Sequence, residues 1–146
     1  MDLILWRHAD AENGSPDASR KLTERGRAQA ARVAAWLKPR LPELCHVLVS
    51  PANRTEETAL ALGMPFVISA GVGTDARAAE IIKATGWPGH AGAVVVVGHQ
   101  PTLGRLAAKV LTGSESDWEI GKGALWWFRH AGGGTVLLTV LDPELA

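Results

Sequence analysis

The chain has 146 residues, 47% hydrophobic and 21% charged, the size and balance of one domain with a real core and too little length for two. Lysine plus arginine equals aspartate plus glutamate at 15 each, so no global field argues for nucleic acid or an anionic membrane surface, and any electropositive site must be local. The single cysteine, Cys45, excludes an internal disulfide framework and a cysteine-based zinc cluster.

The first element is a short apolar strand, Leu3 to Trp6, followed at once by Arg7 and His8 where an ordinary turn is expected. A polar loop from Asp10 to Lys21 comes next. In LTERGRAQAARVAAWL, residues Ala30, Val33, Ala34 and Leu37 keep the spacing of one helical face, with Thr23 as N-cap and Pro39 as the stop. His46 to Ser50 reads as a second strand, and SPANRTEETALALG as a second helix with Ser50 as N-cap, Pro51 at the first helical position and Gly63 as the ending. MPFVIS reads as a weaker third strand. TDARAAEIIKATG reads as a third helix, capped by Thr74 or Asp75, with Ala78, Ile81, Ile82 and Thr85 on its inner face.

Ala93 to Val97 are apolar and mostly β-branched without polar alternation, as in a strand covered on both faces of a parallel sheet. GHQP leads into a fourth helix on which Leu103, Leu106, Ala107 and Val110 repeat the helical spacing, before a second long loop from Gly113 to Lys122. ALWWFRH and TVLLTVL flank Gly132, Gly133 and Gly134 and close the chain as an antiparallel hairpin. The expected fold is a three-layer α/β/α sandwich, a single domain over residues 1–146 with a mostly parallel central sheet and an antiparallel C-terminal hairpin.

Ligands of such sheets bind beyond the carboxyl ends of the strands. There the first strand delivers Arg7 and His8, the second leads within a few residues to Arg54, and the Val94 to Val97 strand ends in Gly98 and His99. Two guanidinium groups suit the oxygens of a phosphate or carboxylate, and imidazole is a competent nucleophile and proton carrier near neutral pH. Any one of these residues alone reads as a solvated charge or a structural histidine; four on one edge read as a site. His46, His90 and His130 read as structural or exposed, and Trp126-Trp127 as hairpin core and surface, since no basic interleaving supports nucleic acid. Gly71 to Ala76 contains two glycines before a helix, which a helix N-cap explains without a ligand.

RHAD, LTERGRAQA, VSPANRTEETA and VVVVGHQPTLG, in this order and spacing, resemble the histidine phosphatase superfamily, and the short chain resembles its small phosphohistidine phosphatase (SixA-type) branch. The resemblance runs from about Leu3 to Gly113 and implies a phosphoglycerate mutase-like fold. It implies His8 as the nucleophile, forming a phosphohistidine intermediate, with Arg7, Arg54 and His99 around the phosphoryl group and Arg20 as a substrate contact. Neighbouring Arg7 and Arg54 disfavour a second positive charge on His8, and both guanidinium groups with His99 as proton donor suit the transferring oxygens. No metal and no other cofactor is expected, because side chains do the neutralising and no carboxylate cluster offers to hold magnesium.

Relatives that hydrolyse phosphate esters carry an acid for the leaving oxygen between the second motif and the GH motif. Asp75 and Glu80 are the candidates in that interval, and neither sits in a matching motif. A weak or absent acid favours the imidazole of phosphohistidine as leaving group, and residues 55–98 leave little room for a lid over a small substrate. The expected activity is a phosphatase acting on a phosphohistidine-bearing protein. The alternatives are a sugar or nucleotide phosphomonoesterase and a non-catalytic phosphoprotein-binding module. Neither nucleic acid nor a membrane is expected as a partner. The lone cysteine and the short N-terminal apolar stretch fit a reducing cytoplasm.

Overall fold

A computed structural model describes residues 1–146. Six strands form one sheet: β1 (Asp2–Arg7), β2 (Cys45–Val49), β3 (Val67–Ile68), β4 (Ala93–Gly98), β5 (Leu125–Ala131) and β6 (Gly134–Leu141), in the order β3-β2-β4-β1-β5-β6. The first four in that row are parallel, and β5 and β6 are antiparallel additions beside β1. Four helices cover it: α1 (Glu24–Leu37), α2 (Asn53–Leu60), α3 (Ala78–Thr85) and α4 (Thr102–Thr112).

Successive side chains of a strand point to opposite faces of the sheet, and β1 serves two cores in this way. Ile4 and Trp6 join Val33, Leu37 and Ala59 in the core under α1 and α2, whereas Leu3 and Leu5 join Ile81, Leu103 and Leu106 under α3 and α4. All six residues of β4 are buried, so its apolar run faces helices on both sides, as a central parallel strand must. Each such Leu, Ile or Val contributes about 1.5–3 kcal/mol by leaving water. The layers are therefore α/β/α, and no helix is long and apolar enough to cross a membrane.

Several local expectations change. MPFVIS supplies only the two exposed residues of β3, while Met64 and Phe66 turn inward against the core under α1 and α2. Being at the sheet edge, β3 has β2 alone to pair with. Thr23 does cap α1, its hydroxyl accepting the Gly26 N–H at 3.0 Å. Ser50 and Pro51, by contrast, lie outside α2, whose N-cap is Ala52 with no side-chain bond. Likewise Arg77, not Thr74 or Asp75, precedes α3, again with no side-chain cap. The hydroxyl that sequence spacing assigned to capping at Ser50 is spent on the site instead.

Register places the strand ends together. Arg7 pairs with Gly98 across β1 and β4, and Val49 with Val97 across β2 and β4. The ladder runs one step further, with the His8 N–H donating to Gly98 O at 3.1 Å and the Ser50 N–H to Val97 O at 3.1 Å. His8, Ser50 and His99 thus emerge side by side. On the other side of β1, the Gly123 N–H donates to His8 O at 3.0 Å, and the Trp6 indole donates to Gly123 O. Gly123 has φ +73°, a left-handed conformation that glycine adopts without strain.

Candidate active site

His8 is buried, and its ring Nδ1 lies 2.8 Å from the carbonyl oxygen of Ala9. A carbonyl can only accept, so Nδ1 carries the proton and Nε2 keeps its lone pair. The Ala9 peptide is itself anchored: its N–H donates to Thr58 Oγ1 at 3.1 Å, and that hydroxyl donates to Arg54 O at 2.7 Å. One turn of α2 thereby holds both the tautomer of His8 and the backbone of Arg54. Burial lowers the His8 pKa to about 4, opposed by the Ala9 carbonyl and assisted by the charges of Arg54, Arg7 and Arg20.

His99 stands beside it, ring centroids 5.4 Å apart. Arg54 Nη2 is 3.3 Å from His99 Nδ1, and since a guanidinium only donates, Nδ1 accepts. The proton is then on Nε2, which donates to Ser50 Oγ at 2.6 Å. Burial, Arg54 and His8 lower the His99 pKa to about 3, against a small opposing effect of Asp17. Both histidines are neutral near pH 7.

Arg7 donates through Nη1 to Ile120 O at 2.9 Å, and Arg54 through Nη1 and Nη2 to the Asp17 backbone and carboxylate at 2.9 and 3.0 Å. Their remaining nitrogens carry the information. Only two buried side-chain N or O atoms in the protein lack a hydrogen-bond partner, and they are Arg7 Nε and Arg54 Nε. Buried donors are normally satisfied, and an anion held by the two guanidinium groups would supply the partners these N–H groups lack.

These groups line a cavity of about 340 Å³ formed by Arg7, His8, Ala11, Asp17, Arg20, Arg54, Thr74, His99, Gln100 and Lys122. Four cationic side chains face one carboxylate, in a protein whose net charge is zero. Arg20 donates to Glu12 O at 2.7 Å and to Asp17 Oδ1 at 3.2 Å. Lys122 pairs with Asp10, which the Thr23 hydroxyl also holds. A larger cleft of about 590 Å³ lies near the amino ends of β2 and β4, lined by residues such as Leu44, Met64 and Phe66 with no lysine or arginine. Its lining is mostly hydrophobic.

Arg7, His8, Arg54, His99 and Arg20 are thus brought together. Asp75 and Glu80 are not: neither lines the cavity, Asp75 is exposed, and Glu80 accepts from Arg77 Nε at 2.8 Å on the surface of α3. Sequence reasoning missed Asp17, Ser50, Thr58 and Lys122. Ser50 sits in the quoted SPANR motif, but its spacing from a helix suggested a cap. Asp17 lies on a single 3-10 turn (Asp17–Ser19) within the loop read as irregular, where no periodicity points to it.

Residues 3–81, just over half of the chain, match the family model of the histidine phosphatase superfamily (branch 1). The chain is 29% identical over 126 residues to phosphohistidine phosphatase SixA of Escherichia coli (strain K12), covering 77% of this chain and 76% of that protein. The solved structure of the protein histidine phosphatase SixA complexed with tungstate superposes with a TM-score of 0.81 at 26% identity, over 99% of this chain and 98% of the other. Phosphoserine phosphatase of Entamoeba histolytica shares the fold at a TM-score of 0.75 and 17% identity, over 98% of each chain. With this fold and these matches, the chain belongs to the histidine phosphatase superfamily, branch 1, and has the phosphoglycerate mutase-like fold of its relatives.

Proposed function

We propose that the protein is a metal-independent phosphohistidine phosphatase with His8 as nucleophile. The observation that carries this is the free Nε2 lone pair of His8, set by the Ala9 carbonyl, beside two guanidinium groups whose buried Nε–H groups have no protein partner. The Nε2 lone pair attacks phosphorus, the bond to the leaving group breaks, and His8 carries the phosphoryl group until water displaces it. Arg7 and Arg54 stabilise the equatorial oxygens throughout, and removing one such donor commonly costs ~10²-fold in rate. His99, neutral and accepting the Arg54 Nη2–H at Nδ1, holds that guanidinium in place for these oxygens. Ser50 holds the opposite nitrogen throughout.

The groups around this machinery support phosphohistidine as the substrate. No carboxylic acid stands ready to protonate an alkoxide: Asp75 and Glu80 lie outside the cavity, and Asp17 is held ionised by Arg54 and Arg20. No group of three or more histidine, cysteine or acidic side chains could hold a metal ion. Likeness to SixA supports a phosphohistidine-bearing protein as the partner.

The test is phosphate release from a phosphohistidine protein, an aryl phosphate and a panel of sugar phosphates in the presence of chelator, with His8→Ala alongside. Expected is turnover of phosphohistidine above the rest, a trappable phosphoenzyme, and loss of both in His8→Ala. Sugar phosphates outperforming phosphohistidine would overturn the substrate. Binding of phosphoprotein without release would make this a binding module.

A further inference from the structure

We infer that Asp17 receives the distal N–H of the departing imidazole and thereby selects N–P substrates over phosphate esters. This rests on the reading of the site as a phosphohistidine phosphatase. Asp17 is the one carboxylate lining the cavity. Its side chain is 60% exposed, whereas that of Arg54, to which it is bonded, is 5% exposed. Asp17 therefore stands on the solvent side of the phosphate-binding arginine, where a substrate side chain enters.

A carboxylate has about four acceptor positions. Arg54 Nη2 occupies one on Oδ2 and Arg20 Nη1 one on Oδ1, so each oxygen retains capacity for another donor. Both arginines also hold the Asp17 carboxyl below the usual carboxylate range, which makes it an acceptor and a poor proton donor. A phosphate ester gains nothing from that, because its leaving oxygen needs a proton. Phosphohistidine is different, since one ring nitrogen bears phosphorus and the other can bear a proton.

With that distal nitrogen protonated, the step needs no acid. The His8 Nε2 lone pair forms the new N–P bond, and the old N–P pair returns to the substrate nitrogen. The leaving ring departs as neutral imidazole, its distal proton retained and hydrogen-bonded to Asp17. His8 is arranged in the same way, its Nδ1–H on the Ala9 carbonyl while Nε2 takes the phosphoryl group. The group thus passes between two imidazoles, each with its distal N–H on an oxygen. Water then attacks phosphorus, the second N–P pair returns to His8 Nε2, and orthophosphate leaves with the water protons.

The experiment compares the intact protein with Asp17→Asn and Asp17→Glu on phosphoimidazole and an aryl phosphate, and measures inhibition by orthophosphate. A hydrogen bond to a charged group corresponds to a loss of about 10- to 100-fold in kcat/KM for Asp17→Asn on phosphoimidazole. The loss on aryl phosphate is expected to be at least about tenfold smaller, and the alkaline limb on phosphoimidazole to move to lower pH, with Asp17→Glu restoring part of both. Equal losses on the two substrates, with orthophosphate inhibition weakened in parallel, would show that Asp17 only orders Arg54 and Arg20 and would overturn the assignment. A parent protein that hydrolyses aryl phosphate but not phosphoimidazole would instead remove the phosphohistidine reading, and the role of Asp17 with it.

Discussion

Acidification from about pH 8 to about pH 5 isolates the two buried imidazoles, because it ends above the ordinary carboxylate range. His8 and His99 have folded pKa values of about 4 and about 3 against 6.5 for an unperturbed histidine. Between those limits the unfolded chain binds protons that the folded protein refuses, so stability falls as the pH falls. Linkage gives a loss of about 2 kcal/mol for each ring over this interval, about 4 kcal/mol together, a large part of the ~5–15 kcal/mol typical of a domain. Denaturant unfolding at a series of pH values measures the total, and His8→Gln should remove about half of the slope. Assigned imidazole resonances in phosphate-free buffer report the pKa values directly. A His8 midpoint near 6.5, or a stability unchanged down to about pH 5, would refute the claim that burial and the arginines hold His8 neutral.

Three further outcomes are expected. Ser50→Ala leaves the His99 Nε2–H without its acceptor, and should cost about 1–3 kcal/mol of stability and lower kcat more than it changes KM, as read by denaturation and steady-state kinetics. Asp2 would be pushed up by burial, but Arg129 and Trp127 hydrogen bonds hold its pKa below 3.8. Asp2→Asn should therefore destabilise by about 1.5–3 kcal/mol near neutral pH, an effect that vanishes as pH falls through the lowered folded pKa, where the parent loses the interaction too. Gly26→Ala would drive a Cβ into the Asp10 carbonyl oxygen, forcing the start of α1 off the loop after β1. Its expected cost is about 1–3 kcal/mol or more in thermal unfolding, with reduced activity because Asp10 is close in sequence to His8.

Much of the architecture was legible because it rests on local pattern. The apolar run Ala93 to Val97 foretold a strand covered on both faces, and the helical spacing of Val33, Leu37, Leu103 and Leu106 foretold faces that do pack on the sheet. Thr23 was readable as a cap because its partner, Gly26, lies three residues away. Reading failed where a side chain had a distant alternative. Ser50 looked like a cap, yet its hydroxyl bonds to His99, a residue brought near only by the register of β2 against β4. MPFVIS had strand composition, but an edge position left just two residues paired.

The amino-acid sequence by itself determined which residues end the central strands: Arg7 and His8 after an apolar run, His99 after another, Arg54 just inside a helix. It also determined the family to which that order belongs, since residue type and spacing are local properties of the chain. The tertiary structure decided how those groups are poised. Only the folded register sets the Ala9 carbonyl and Thr58 to fix the His8 tautomer, and leaves two arginine nitrogens without partners. Only folding carries Asp17 from an unpatterned loop to Arg54, because hydrogen bonds and desolvation depend on distance in space, which spacing along a chain does not encode.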